Sequence, residues 1–361
     1  MKNTNKLDQR LTTIPSSIWT DIARIDELKG HWVASGQLHP QVLGRLKRSV
    51  LVTSTGASTR IEGAKLSDED IEKIMRGISI EKFTDRDKAE VKGYYELLQN
   101  IFDSWQDLSL SESAIKHFHK ELLKYVQKDE IHRGEYKRSE NKVHMIDARG
   151  NSIGILFDTT PAFLTPGAMR DLIDWTKEAL THHTYHPIII IGNFLVEFLQ
   201  IHPFQDGNGR LSRILTNLLL LKQNYIYIPY ISHEKLIEDN KPDYYLALRN
   251  SQKTFSKENA VPAGRQENIT PWLEFFVQIL LKQSQMAIDL LSTETIEKTL
   301  SKKQLIVWGY LQRVREAGPM ELSQNTGVAR PTINQVMEKL IRLKKVQRLG
   351  LGRSTRYQVI S

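Results

Sequence analysis

The sequence predicts a mainly α-helical protein whose body carries one small β-hairpin and whose C-terminal end forms a basic module of three helices and a second hairpin. Three observations carry that prediction. Apolar residues recur at three- and four-residue spacing through most of residues 10–222, the period of helices with one buried face. Two short alternating runs, 142–146 and 152–157, flank Ala148-Arg149-Gly150-Asn151, the pattern of a hairpin. Residues 301–361 hold twelve Lys and Arg against three Glu, a net of +9; the whole chain carries +8, so the other 300 residues sum to −1.

A chain of 361 residues has room for roughly two to three domains with their own cores. Hydrophobic residues at 40%, charged residues at 25% and a mean hydropathy of −0.40 exclude a disordered or membrane-spanning chain. The absence of cysteine removes disulfide scaffolds, thiolate zinc sites and cysteine nucleophiles. Residues 1–19 are polar and lack a signal core, and the most apolar run, Ile188 to Ile201, is interrupted by Asn193 and Glu197 and is short for a bilayer. The expectation is a cytoplasmic protein with no membrane partner.

Along the chain, helices are expected over Ile18–Leu28, Gln41–Thr53 and Asp68–Met75, the last opened by Ser67 with Asp70 three residues on, as in a capping box. The helical pattern continues from Asp87 to Val126 with a break near Leu108–Ser113. After the hairpin, Pro161 and Pro166 precede a helix over Ala168–Leu180, and Pro187 opens the apolar helix Ile188–Gln200. His182, His183 and His186 lack a carboxylate at ligand spacing and read as a polar lead-in to that helix, not a metal site. A further helix follows over Ile214–Lys222.

In the basic module, Leu305, Trp308, Leu311 and Val314 mark one helix, Glu321–Thr326 a second ended by Gly327, and Pro331 opens a third with Ile333, Val336, Leu340 and Leu343 on one face. Val346 to Val359 alternates like two strands around Gly350-Leu351-Gly352, with Arg348, Arg353 and Arg356 near the turn. This order resembles a winged helix-turn-helix, which implies a DNA partner read by the third helix, with the wing on phosphates. Concentrated positive charge on an otherwise near-neutral chain fits a polyanion.

The chemistry is concentrated in His202-Pro203-Phe204-Gln205-Asp206-Gly207-Asn208-Gly209-Arg210-Leu211-Ser212-Arg213. Pro203 ends the apolar helix, and the glycines let the backbone approach a ligand just ahead of the next helix, a natural phosphate site. Arg210 and Arg213, three apart, share a side of that helix and suit phosphate oxygens. Asp206, the loop's only carboxylate, suits a divalent cation bridging phosphates, and His202 suits a general base.

This string is similar to the Fic-family signature His-Pro-Phe-x-Asp/Glu-Gly-Asn-Gly-Arg-x-x-Arg at all nine specified positions. The resemblance implies a Fic-type helical bundle with a β-hairpin flap, and a protein adenylyltransferase. Such an enzyme moves AMP from ATP to a Ser, Thr or Tyr hydroxyl of a target protein, or of itself, and releases pyrophosphate. It further implies that His202 deprotonates the hydroxyl, Asp206 holds Mg²⁺, Gly207, Asn208 and Gly209 cradle the α- and β-phosphates, Arg210 and Arg213 take outer phosphates, and Phe204 is a buried anchor. Gly209 is not the lysine of the related Doc branch. Val143, His144, Met145 and Ile146 correspond to the flap that registers the target side chain. Asn240-Lys241-Pro242-Asp243-Tyr244-Tyr245 is similar to the family segment whose tyrosines lie by the adenine and ribose.

Ser58-Thr59-Arg60-Ile61-Glu62-Gly63 resembles the family's inhibitory pattern Ser/Thr-x-x-x-Glu-Gly/Asn. A glutamate at a helix C-terminus faces the negative end of the dipole and needs a cation. The resemblance supplies one: Glu62 against Arg213, filling the γ-phosphate position. Because this motif precedes the core, the arrangement resembles class II. The implied domains are 1–100, a helical region with the inhibitory helix; 101–290, the catalytic core; and 301–361, the winged helix-turn-helix. A homodimer is compatible with this plan. Two alternatives remain: a DNA-binding regulator with a nucleotide-sensing body, and an enzyme that removes AMP.

Overall fold

The computed structural model describes residues 5–35, 38, 40–77, 84–146, 152–255, 267–343, 345–350 and 355–360; of 142–146, 152–158 and 292–299 it describes the backbone alone. The chain divides into two compact units, Met1–Ile288 and Asp289–Ser361. In order, the helices are α1 (Lys6–Gln9), α2 (Ser16–Ala34), α3 (Pro40–Ile61), α4 (Asp68–Met75), α5 (Asp85–Ser104) and α6 (Glu112–Leu122). After the hairpin of β1 (Lys142–Ile146) and β2 (Ser152–Asp158) come α7 (Thr165–Thr181), α8 (Pro187–Ile201), α9 (Asn208–Lys222), α10 (His233–Asp239), α11 (Lys241–Gln252) and α12 (Thr270–Thr299).

The expected helices are present, and the differences in length concern the site. The helix expected to stop at Thr53 continues to Ile61, so Ser58 lies in the last turn of α3 and Glu62 directly follows it. The helix expected from Ile214 begins at Asn208, so both arginines of the motif lie within α9. The capping box at Ser67 and Asp70 is formed. β1 and β2 pair antiparallel, Lys142 opposite Asp158 and Ile146 opposite Ser152, with two register shifts between; the expected turn at 148–151 lies outside the described residues.

α8 is buried all round, with Ile188 to Ile191, Phe194, Val196, Phe198 and Ile201 fully enclosed. This is what a helix apolar on nearly every face requires. Its two polar interruptions dock the start of the chain. Glu197 accepts from Lys6 at 2.6 Å and forms an ion pair with Arg10, also at 2.6 Å, and Asn193 Nδ2 donates to the Leu7 carbonyl at 2.9 Å. A buried carboxylate must be paired; α1 and the turn after it supply the cations.

The second unit holds α13 (Lys302–Val314), β3 (Glu316–Ala317), α14 (Pro319–Thr326), α15 (Arg330–Arg342), β4 (Val346–Leu349) and β5 (Arg356–Val359). Its sheet runs β3-β5-β4, antiparallel throughout. Val307, Trp308, Leu311, Leu322, Ile333, Val336 and Leu340 form its core, with Leu305 and Leu343 partly buried against it; Val314, expected on the same face of α13, is exposed at the end of that helix, and Val307, which the spacing did not select, is buried. α14 ends at Gly327 in the left-handed conformation. Lys344 and Arg353 lie outside the described residues.

Where α5 crosses α6, Gly93 is obligatory: a Cβ there would lie 2.1 Å from the Leu122 carbonyl oxygen. Backbone cannot yield as a side-chain tip does. Gly93→Ala is expected to cost about 1–3 kcal/mol of stability through overpacking, despite alanine's better helix propensity. Chemical denaturation checks this; an unchanged midpoint would show that α5 and α6 separate freely.

Candidate active site

The site is the loop between the two most buried helices. α8 terminates at His202, whose backbone enters the left-handed region (φ 50°) while its N–H donates to the Phe198 carbonyl at 2.9 Å. That turn, with Pro203 behind it, redirects the chain. His202 Nδ1 lies 3.2 Å from the Leu199 carbonyl, which places the proton on Nδ1 and the lone pair on Nε2. Burial, reinforced by the positive charge of Lys137, pushes the imidazole down to about 4. The side chain is therefore neutral at pH 7, the state a proton acceptor needs.

The loop closes on itself through Asn208. Its Oδ1 accepts from the Phe204 N–H at 2.9 Å and its Nδ2 donates to the Phe204 carbonyl at 2.8 Å. The Asn208 side chain is thus spent on loop geometry, and only its main chain remains to meet a ligand. Gly207 adopts φ 78°, and no side chain caps the start of α9. A helix N-terminus with a glycine lead-in and no side-chain cap suits an anion.

Phe204 is fully buried and stacks on His119, ring centroids 3.8 Å apart and planes within 9°. His119 Nδ1 accepts from the Gly134 N–H at 3.0 Å, so Nε2 carries the proton and donates to the Asp206 carbonyl at 3.0 Å. One imidazole therefore holds both ring and backbone of the loop.

The charged residues divide into two groups. Asp206 Oδ2 takes Arg86 at 2.8 Å and Arg210 at 3.3 Å, while Oδ1 accepts from the Gly207 N–H at 2.6 Å. Burial pushes the Asp206 carboxyl up, but Arg210, the Gly207 amide and Arg86 outweigh it and hold it below its ordinary value. Arg210 is buried and also pairs with Glu90 at 2.7 Å.

Arg213, on α9, reaches across to the end of α3. Its Nε donates to Ser58 Oγ at 2.8 Å, and its Nη2 donates to the Ser58 carbonyl at 3.0 Å and to Glu62 Oε1 at 2.7 Å. Its Nη1 is buried with no hydrogen-bond partner among the described residues and lies beside Gly209, 3.4 Å from where a Cβ would stand; Glu62 Oε1 lies 2.3 Å from that same point. A carboxylate of the protein itself thus rests on the first turn of α9. Tyr244 and Tyr245 flank this pair: Tyr244 is buried against Tyr245, Trp272 and Phe275, and Tyr245 OH donates to the Ile61 carbonyl at 3.3 Å. Of the expected flap residues, Val143, His144, Met145 and Ile146 form β1, and their side chains lie outside the described residues.

Residues 109–220 match the Fic/DOC family. The chain carries a Fic domain. It is similar to a probable protein adenylyltransferase of Aquifex aeolicus, at 26% identity over 189 residues, 51% of this chain and 52% of the relative. It is also similar to the protein adenylyltransferase Fic of Aedes aegypti, at 32% over 113 residues, 31% of this chain and 19% of the relative. The alignments thus span about half of the first relative and a fifth of the second. A Fic family protein from Desulfovibrio desulfuricans G20 shares the fold, with a TM-score of 0.62, 23% identity and 97% of each chain covered.

The supports of the Fic loop were not found from the sequence. His119 and Asn141 lie outside the motif, 83 and 61 residues before His202, and look like ordinary surface polar residues until the fold brings them in. Lys241 Nζ donates to the Arg60 carbonyl at 3.2 Å, adding a second cation at the C-terminal end of α3.

Acid should expose the role of His119. Burial pushes its imidazole down to about 4, against about 6.5 when unfolded. Between these values the unfolded chain binds the extra proton, so the contribution is present above pH 6.5 and is lost as pH falls toward 4. The loss is on the order of 3 kcal/mol at most. Urea unfolding at several pH values should show a shallower slope for His119→Gln than for the wild type, by about one proton; identical slopes would remove His119 from the account.

Proposed function

We propose that this Fic protein is an adenylyltransferase that moves AMP from ATP to a hydroxyl of a protein, and that Glu62 restrains it. The observation that carries the reading is the Glu62 carboxylate on the first turn of α9, paired with Arg213 beside Gly209. An anion position is already filled by an anion from the chain. A phosphate chain laid on Gly207, Asn208 and Gly209 would meet the amides of α9 and the unpartnered Arg213 Nη1, provided Glu62 moves aside.

In this reading the target hydroxyl oxygen attacks the α-phosphorus, its proton passes to His202 Nε2, and the bond from that phosphorus to the bridging oxygen breaks to release pyrophosphate. Positioning and charge neutralisation supply most of the rate, and the imidazole removes the proton. Asp206 is the residue to hold Mg²⁺. One ionised carboxylate beside a phosphate site fits an ion that takes its remaining ligands from phosphate and water, and among the described residues no three acids or histidines form a cage of their own. The ion, when bound, would neutralise phosphate charge; Arg86 would have to yield its contact with Asp206. Tyr244 and Tyr245 would border the nucleoside, and β1 would present the target segment by edge pairing. The order of the Glu62 motif and the Fic domain corresponds to class II.

Incubation with α-labelled ATP and Mg²⁺ tests this. Glu62→Gly should incorporate label faster than the wild type, and His202→Ala in that background should lose about 10²–10⁴-fold. Equal incorporation in Glu62→Gly and wild type would sink the restraint, and label persisting in His202→Ala would reject the base.

The second unit supports a winged helix-turn-helix that binds DNA. On α15, Arg330, Asn334, Gln335 and Arg342 are exposed opposite the buried face. Arg348 on β4 is exposed too, whereas Arg356 is drawn to Glu316 and Glu321. The full chain should bind duplex DNA with an affinity that falls steeply between about 50 and 200 mM salt. Absence of binding at the lower salt rejects this part of the reading.

A further inference from the structure

Four successive carbonyls, from Ile201 to Phe204, are held by a short segment that belongs to neither α8 nor α9. Lys137 N–H donates to the Pro203 carbonyl at 2.9 Å and Lys137 Nζ to the Ile201 carbonyl at 3.0 Å. Asn141 Nδ2 donates to the Phe204 carbonyl at 2.8 Å and reaches the His202 carbonyl at 3.4 Å. The remaining two protons of the Lys137 ammonium go to Asn141 Oδ1 at 2.8 Å and Thr159 Oγ1 at 2.9 Å. Thr159 Oγ1 in turn has the Asn141 carbonyl at 2.8 Å and Asn141 Oδ1 at 2.7 Å as its acceptors. Asn141 immediately precedes β1 and Thr159 immediately follows β2, so both stems of the hairpin meet on one buried ammonium.

We propose that Lys137 is a positioning residue for His202: its buried ammonium ties both stems of the hairpin to the carbonyl directly before the imidazole and sets a positive charge near the ring. The proposal deepens the adenylyltransferase reading and rests on it for the reaction, not for the contact. Three features separate this from ordinary core structure. A buried lysine is costly, and a hydrophobic residue would fill the space at less cost if packing were all that mattered. All three protons are used, and one of them fixes the carbonyl directly before His202. The charge is of the sign that opposes an imidazolium.

The charged groups around the pair are few. Glu140 faces Lys137 and favours its ammonium, while burial pushes the amine down to about 8. Around His202, Lys137 disfavours the imidazolium, whereas Glu62 at the end of α3 and Asp206 ahead of α9 favour it. Removing Lys137 takes away a cation that disfavours the imidazolium and keeps the two acids that favour it. The His202 midpoint should then rise toward the ordinary value.

The measurement is a titration of the full-length protein carrying ¹³C-labelled histidine, followed by NMR without nucleotide, with His202→Ala to assign the signal. In Lys137→Met the His202 midpoint should rise by about one unit or more toward about 6.5, and in Lys137→Arg it should stay near the wild-type value. A purely structural lysine would leave the midpoint unmoved in Lys137→Met, and that result overturns the proposal. Should Lys137→Met not fold, the wild type decides. Its His202 resonance should show a second, smaller step near pH 8 as Lys137 loses its proton, and this step should be absent in Lys137→Arg. A flat trace there overturns the proposal equally. In the Glu62→Gly background, Lys137→Met should also lower AMP incorporation at pH 6, by up to about fourfold if the His202 midpoint reaches about 6.5, with Lys137→Arg restoring it. Failure of the adenylyltransferase reading would look different: no label in any variant, with the titration unaffected.

Discussion

Arg213 carries a charge that cannot reach water. Its side chain is 2% exposed, and burying a guanidinium without partners would cost several kcal/mol. Three of its contacts come from one helix, through Ser58 and Glu62, so the end of α3 and the start of α9 are locked by a single residue. The lock explains an oddity of the sequence. Glu62 stands where the α3 dipole is negative, and it is tolerable there because Arg213 compensates, as does Lys241, which caps the Arg60 carbonyl. Beneath the pair, Asn217 Nδ2 joins the Arg213 carbonyl to the buried Glu234, which also accepts from Tyr94. The fold thus holds one guanidinium through Ser58 and Glu62 and backs its main chain with a second buried carboxylate.

A second requirement is a loop that holds its shape without regular structure. Loops between buried helices leave main-chain groups in need of partners. Here each claim is met by a different element: Asn208 from α9, His119 from α6, and Lys137 with Asn141 from the segment before β1. The partners converge on Phe204, whose ring fills the space under the loop and whose N–H and carbonyl are both taken. The consequence is a rigid scaffold for His202 and for the first amides of α9, which is what catalysis by positioning demands.

The sequence disclosed the chemistry more fully than its supports. His202 to Arg213 could be read because every functional type sits within twelve residues, at spacings set by one turn and one helix. Ser58 and Glu62 were legible for the same reason, being four apart at a helix end. His119, Asn141 and Thr159 left no such trace, because each acts through a contact made across the fold, and a lone polar residue in a helix or turn carries no spacing. The helices followed from periodicity, yet α3 ran eight residues further than its apolar pattern. Ser54, Ser58 and Thr59 are buried there with their hydroxyls hydrogen-bonded, Ser54 Oγ on Ser232 at 2.7 Å and Ser58 Oγ taking Arg213 at 2.8 Å, and hydrophobic spacing is blind to that.

The same contacts bear on how the proposed restraint could be lifted. Moving α3 as a body would break the Ser54–Ser232 bond, the ion pairs of Arg60 with Glu238 and Asp68, and the Arg213–Ser58 bonds together. Each buried polar group so exposed would add to the cost. Glu62 lies one residue beyond the last residue of α3, and its side chain is 36% exposed while that of Arg213 is 2% exposed. A rotation of this one side chain toward solvent frees the first turn of α9 and leaves Arg213 held by Ser58. Only the Glu62 contact is lost in that rotation, whereas moving α3 breaks several buried contacts together, so the energetic threshold sits at the carboxylate and not at the helix. An incoming polyphosphate, with more charge than a carboxylate and the same amides to meet, is the competitor best suited to cross it.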